Sequence, residues 1–145
     1  MSLDVSIIYV NYKTSDLILQ SIKSVVEKVT DISYEFIVVD NNTENNLEKK
    51  LSEVIPSFIN LKCLYLPENI GFGAANNEGM KHAKGKTIFL LNPDTVLINN
   101  AIKILFDFLQ KNPDAGACGG NLYNIQNQPS YSFSKIMPGI NWEFQ

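Results

Sequence analysis

Apolar residues alternate between two rhythms along this chain. Val5-Ser6-Ile7-Ile8-Tyr9-Val10 is a short β-rich run, and Ile18, Ile22, Val25, Val26 and Val29 then recur at helical spacing. Ser15 and Asp16 stand at the start of that helix, and either suits its cap. Phe36-Ile37-Val38-Val39 is apolar throughout, as a strand covered on both faces is, and it runs into Asp40-Asn41-Asn42-Thr43. A second helical stripe, Leu47, Leu51, Val54 and Ile55, ends near Pro56, and residues 61–66 read as a third strand halted by Pro67.

Glu68-Asn69-Ile70-Gly71-Phe72-Gly73 reads as a loop, residues 74–83 as a helix of small residues, and 87–91 as a fourth strand apolar enough to be buried. Ile102, Leu105, Phe106 and Leu109 stripe a further helix between Asn99 or Asn100 and Asn112-Pro113. Residues 115–123 suggest one more strand with Gly119-Gly120 inside it, and 124–145 lose all period and read as loop. Strand followed by helix, with no internal repeat or linker, predicts a parallel α/β sheet in one domain spanning 1–145.

The 145 residues are enough for a single real core. No run of about 18 apolar residues could cross a bilayer, and Met1-Ser2-Leu3-Asp4 carries no secretory signal, so the expected location is cytoplasmic. A net charge of −3, with lysines scattered apart from Lys81, Lys84 and Lys86, argues against a nucleic-acid partner. Cys63 and Cys118 match no metal-ligand spacing and are expected to be reduced core residues; His82, on the predicted helix beside Lys81 and Lys84, is expected at the surface.

In open parallel sheets, ligands bind outside the carboxyl ends of the strands. Four polar clusters fall there: Asn11-Tyr12, Asp40-Asn41-Asn42, Asn69-Ile70-Gly71-Phe72-Gly73 and Asn92-Pro93-Asp94-Thr95. Turn chemistry explains each one singly, since Asn, Asp and Gly are the usual turn residues. Together they gather two carboxylates and several amides on one rim, which suits a polar ligand carrying phosphates. Neither a dinucleotide fingerprint nor a Walker sequence follows the first strand, where Asn11-Tyr12-Lys13-Thr14 stands instead.

In order and spacing, the segments that end in Asn11-Tyr12, in Asp40-Asn41-Asn42-Thr43, in Asn69-Ile70-Gly71-Phe72-Gly73-Ala74-Ala75-Asn76-Asn77 and in Asn92-Pro93-Asp94-Thr95 resemble the family-two glycosyltransferases, above all a rhamnosyltransferase-like bacterial branch. The resemblance covers about residues 5–123 and implies a GT-A fold, an open and mostly parallel sheet flanked by helices. It also implies inverting transfer of a sugar from a nucleoside diphosphate, UDP or dTDP, to a hydroxyl of a saccharide or lipid-linked saccharide. Rhamnose is the first sugar to consider, and such an enzyme could work at the inner face of the membrane.

The resemblance assigns donor contacts to Asn11, Tyr12, Asp40, Asn42, Asn69, Gly71, Phe72, Asn76, Asn92 and Asp94. Tyr12 would stack on the base, and Asp40 would accept a hydrogen bond from its imino N–H. Asn92-Pro93-Asp94 stands where the family has Asp-x-Asp, so Asp94 is the expected ligand of a Mg2+ or Mn2+ ion; Asn92 in place of the first aspartate weakens that site. The family's acidic base motif does not follow, and Glu143 is the one acidic candidate in the tail. The base is therefore expected beyond residue 145, in a longer enzyme. A sugar nucleotidyltransferase and a non-catalytic nucleotide-sugar-binding module remain as alternatives.

Overall fold

In the computed structural model, residues 3–41, 47–126 and 128–130 are described. Four strands, β1 (Val5–Asn11), β2 (Tyr34–Asp40), β3 (Asn60–Tyr65) and β4 (Thr87–Leu90), form one sheet in the order β3-β2-β1-β4, every pair parallel. The helices α1 (Ser15–Lys28), α2 (Leu47–Ser52), α3 (Phe72–Met80) and α4 (Ala101–Lys111) alternate with them, as the strand and helix rhythms predict.

Side chains alternate across a strand, and the two faces bury different helices. Val5, Ile7, Tyr9, Phe36 and Val38 point to one face, where they meet Ile18, Ile22 and Val25 of α1, Leu47 and Leu51 of α2 and Ile102 of α4. Ile8, Val10, Ile37 and Val39 point to the other and meet Ala75 of α3. The two central strands are thus buried from both sides, at about 1.5–3 kcal/mol for each large apolar side chain. Gly79 lets α3 sit that close: a Cβ there would lie 2.8 Å from Ile8 Cγ2 and 3.1 Å from Val39 Cγ2.

The fourth strand departs from expectation. Ile88 and Leu90 are 40% and 46% exposed, although the apolar run reads as fully buried. They lie on the α3 face, where α3 packs chiefly on β1 and β2, and β4 has one neighbouring strand among the described residues. The 115–123 strand shrinks to β5 (Leu122–Tyr123), paired antiparallel with β6 (Pro129–Ser130) inside a stretch read as loop. Cys63 is half-buried, whereas Cys118 is exposed rather than in the core. His82 lies just past α3, half-buried, its Nδ1 2.8 Å from Lys62 Nζ and its Nε2 3.9 Å from Glu78.

Neither Ser15 nor Asp16 caps α1. Thr14 occupies the cap position with no side-chain capping bond, and the turn before it is held by Asn11, whose Oδ1 accepts from Thr14 N–H and Oγ1, both at 3.2 Å. Lys13, with φ 60°, supplies the left-handed residue that this tight turn needs.

At the opposite, amino-terminal end of the sheet, the α3–β4 connection is anchored by a buried polar cluster. Ser6 Oγ donates to Glu35 Oε1 at 2.7 Å, Lys84 N–H donates to the same carboxylate at 2.8 Å, and Gly85 N–H donates to Ser6 Oγ at 2.8 Å. Glu35 is 4% exposed, so these donors replace the water its charge would otherwise need.

Candidate functional site

The carboxyl ends of β1 and β2 lie side by side, and Asn11 and Asp40 are register partners there, with Tyr65 beyond Asp40 on β3. All three share the α1 face by strand alternation. Asn11 and Asp40 are buried. Asn11 uses its side chain to shape the turn into α1, with Ser15 Oγ a further 3.3 Å from its Nδ2. Tyr12, the next residue, is 45% exposed, and Lys13 Nζ lies over its ring, 5.5 Å from the centroid.

On the far side of Asp40, Tyr65 is half-exposed, and its hydroxyl accepts from Glu48 N–H at 3.2 Å at the start of α2. Sequence patterning did not single out Tyr65; its place beside Asp40 follows only from the β2–β3 register. Burial, together with the charges of Glu48 and Asp40, pushes the neighbouring Cys63 thiol up to about 12.

The third cluster closes over the α3 face. Asn41, directly after Asp40, alternates to that face and is buried. Its N–H donates to the Asn11 carbonyl at 2.8 Å, extending the ladder by one residue. Its Nδ2 donates to Asn69 Oδ1 at 2.7 Å, its Oδ1 accepts from Ile70 N–H at 3.0 Å, and Asn69 Oδ1 also accepts from Gly71 N–H at 2.9 Å. Gly71, at φ 83°, turns this loop into α3. Phe72, at the helix start, is 55% exposed, whereas Asn76 is buried with its Nδ2 donating to the Phe72 carbonyl at 3.0 Å.

The fourth cluster follows β4. Leu91 N–H donates to the Ile8 carbonyl, so the chain leaves the sheet at the same rim, and Thr95 N–H closes a turn onto the Asn92 carbonyl at 3.1 Å. Asn92 and Asp94 on this turn are exposed. Ser24 of α1 fixes the connection by accepting from Leu97 N–H at 2.9 Å while donating to the Ser21 carbonyl at 2.6 Å, with Leu97 buried beside it.

Asn11 and Asp40 thus end neighbouring strands, Asn69, Gly71 and Phe72 follow β3, Asn92 and Asp94 follow β4 at the same edge, and Asn76 lies within α3; Asn42 and Glu143 lie outside the described residues. Among the described residues no three His, Cys, Asp or Glu side chains cluster to hold a metal. A cleft of about 380 Å³ lies elsewhere, between α4, Cys118 and the residues Val5, Lys86 and Thr87 at the amino end of the sheet. None of its lining residues belongs to the four clusters.

An open parallel sheet with helices on both faces and a polar rim at its carboxyl edge is the architecture of GT-A nucleotide-sugar transferases. TarS from S. aureus, solved with UDP-GlcNAc, superposes with a TM-score of 0.63 at 23% identity over 75% of this chain and 32% of its own. The mannosyltransferase PcManGT from Pyrobaculum calidifontis, solved with GDP-Man and Mn2+, gives 0.59 at 21% over 69% of this chain and 30% of its own.

Residues 6–144 match the family model described as Glycosyl transferase family 2, and the chain belongs to that family. Among curated relatives, the Escherichia coli UDP-Glc:alpha-D-GlcNAc-diphosphoundecaprenol beta-1,3-glucosyltransferase WfgD is 32% identical over 92% of this chain. Glycosyltransferase GlyG of Streptococcus pneumoniae is 26% identical over 86%. The chain spans 51% of the first and 40% of the second. Among the described residues, no helix is long and apolar enough to cross a membrane.

Proposed function

We propose that this chain is the donor-binding domain of an inverting glycosyltransferase that takes a hexose from a nucleoside diphosphate, UDP in the first instance, to a saccharide acceptor on a lipid carrier. The observation that carries the proposal is Asp40, a buried carboxylate at the sheet's carboxyl edge between Asn11 and Tyr65. A fixed acceptor beside exposed aromatic rings suits a uracil, whose imino N–H donates and whose ring stacks. UDP-Glc and UDP-GlcNAc in the names of the relatives favour a uridine donor, while rhamnose has only the motif resemblance behind it.

The diphosphate would then lie toward the exposed turn that carries Asn92 and Asp94. These two residues offer one carboxylate and one amide oxygen, both hard donors and too few to retain a cation alone. They fit a Mg2+ or Mn2+ ion whose other ligands are diphosphate oxygens and water. When bound, it would neutralise charge on the departing nucleoside diphosphate. Asp94 holds and orients; the base acting on the acceptor hydroxyl comes from outside the described residues. A lipid-linked acceptor would bring the enzyme to the inner membrane face.

Thermal melting with UDP, dTDP or GDP, each with manganese or with chelator, tests the reading. UDP at a hundred times its Kd should stabilise the fold by about 2.7 kcal/mol, with a larger shift when manganese is present. Equal shifts from inorganic pyrophosphate and from UDP would mean that no base site exists at Asp40.

A further inference from the structure

We propose that Asn41 is a positioning residue for the donor loop, and that the side-chain carbonyl oxygen of Asn69 serves the loop's shape. This rests on the donor-site reading above. The orientation of both amides is fixed by the backbone. Ile70 N–H can only donate, so the Asn41 atom it meets at 3.0 Å is Oδ1, and Nδ2 must face Asn69. Gly71 N–H likewise requires Oδ1 of Asn69 at 2.9 Å, and that oxygen also receives Asn41 Nδ2. Both lone-pair directions of the Asn69 oxygen are thereby filled by the protein.

The consequence is mechanical. Asp40 and Asn41 are consecutive, so one turns its side chain to the α1 face and the other to the α3 face. Asn41 is 2% exposed and is joined to β1 through the Asn11 carbonyl. The loop that carries Gly71 and Phe72 is therefore indexed to the same strand end that carries Asp40, and base and loop contacts keep a fixed separation. A double amide clasp of this kind, buried at Asn41 and exposed at Asn69, resists substitution asymmetrically: within it Asn41 must both donate and accept, whereas Asn69 accepts.

The test uses Asn41→Ala, Asn41→Asp, Asn69→Ala and Asn69→Asp in the full chain, with two readouts. Without ligand, amide hydrogen exchange at Ile70 and Gly71 should accelerate about tenfold in both Asn41 variants and in Asn69→Ala, the scale of one or two lost hydrogen bonds. Asn69→Asp, whose carboxylate still accepts twice, should restore exchange to within about twofold of wild type. Calorimetry with UDP and manganese should show about tenfold weaker binding for Asn41→Ala. Unchanged exchange in Asn41→Ala, or failure of Asn69→Asp to restore it, overturns the clasp. Faster exchange with unchanged UDP affinity overturns the positioning role. A wild-type chain that binds no UDP refutes the donor-site reading instead, and leaves the exchange arm to decide the clasp.

Discussion

Replacing Gly85 with alanine puts a methyl group where the backbone of β1 already lies. The added Cβ would sit 2.4 Å from Ser6 N, 2.5 Å from Val5 C and 2.9 Å from Val5 Cα, about 1 Å inside ordinary contact at the closest point. Backbone atoms of a central strand cannot swing away as a side-chain tip can, so the α3–β4 connection must move. That motion pulls Gly85 N–H from Ser6 Oγ and Lys84 N–H from the buried Glu35 carboxylate. Overpacking costs about 1–3 kcal/mol and a buried carboxylate short of a donor a similar amount, so the expected loss is about 3–5 kcal/mol. For a domain of this length that lowers Tm by about 10–15 °C. Thermal melts followed by circular dichroism measure it, with two glycines as internal controls. Gly79→Ala meets side-chain methyls of Ile8 and Val39 and should cost less, about 1–3 kcal/mol. Gly73→Ala, in α3 with open space around its Cβ, should stabilise by about 0.5–1 kcal/mol. A Gly85→Ala protein melting within about 2 °C of wild type would refute the packing argument.

Asp40→Ala should weaken UDP binding by about 1.5–3 kcal/mol in calorimetry while the protein still melts cooperatively; unchanged affinity would remove Asp40 from the base site. Asp94→Asn should abolish most of the manganese-dependent gain in UDP affinity, and a variant that keeps the gain in full would show that another residue holds the ion. Ellman's reagent at pH 8 should titrate the exposed Cys118 quickly and reach Cys63, its thiol pushed up to about 12, only after denaturation; two fast thiols would contradict the burial argument. The Asp4 carboxyl is held below its usual 3.8, first by the backbone N–H and hydroxyl of Ser33 and then by Lys86. A depressed folded-state value means that this stabilisation is present above pH 3.8 and is lost as the pH falls through the folded value. The stability difference between wild type and Asp4→Asn should therefore shrink in acid urea titrations below that pH, and a difference constant across it would discount the Ser33 contacts.

The sheet was legible because Ile7, Ile8, Phe36 and Val39 belong to apolar runs that only a two-sided strand tolerates, and the rule for carboxyl ends then placed Asp40 and Asp94 on one rim. The same logic misplaced β4: an unbroken apolar run says nothing about which helix covers which strand, and α3 packs chiefly on β1 and β2 while Ile88 and Leu90 stay exposed. The helix cap was misread because propensity favours Ser15 and Asp16, whereas Asn11, three residues ahead of the Thr14 cap position, organises the turn. Asn41 entered only as a member of the Asp40-Asn41-Asn42 cluster, because its own role lies in a loop 28 residues away, a proximity that no local pattern encodes. Tyr65 was hidden for the same reason, its neighbour Asp40 being set by cross-strand register.

The alternation at the end of β2 also dictates where this sequence can change length. Inserting or deleting one residue within β2 would reverse its phase, sending the carboxylate to the α3 side and the amide to the α1 side while also inverting Phe36 through Val39. Paired length changes of two residues would restore the phase but carry Asp40 one full pleat, roughly 6.6 Å, away from Asn11. Length variation among natural or engineered versions of this domain should therefore concentrate in the exposed connections, such as residues 112–121 after α4. β2 and Asn41 directly after it should keep a fixed count.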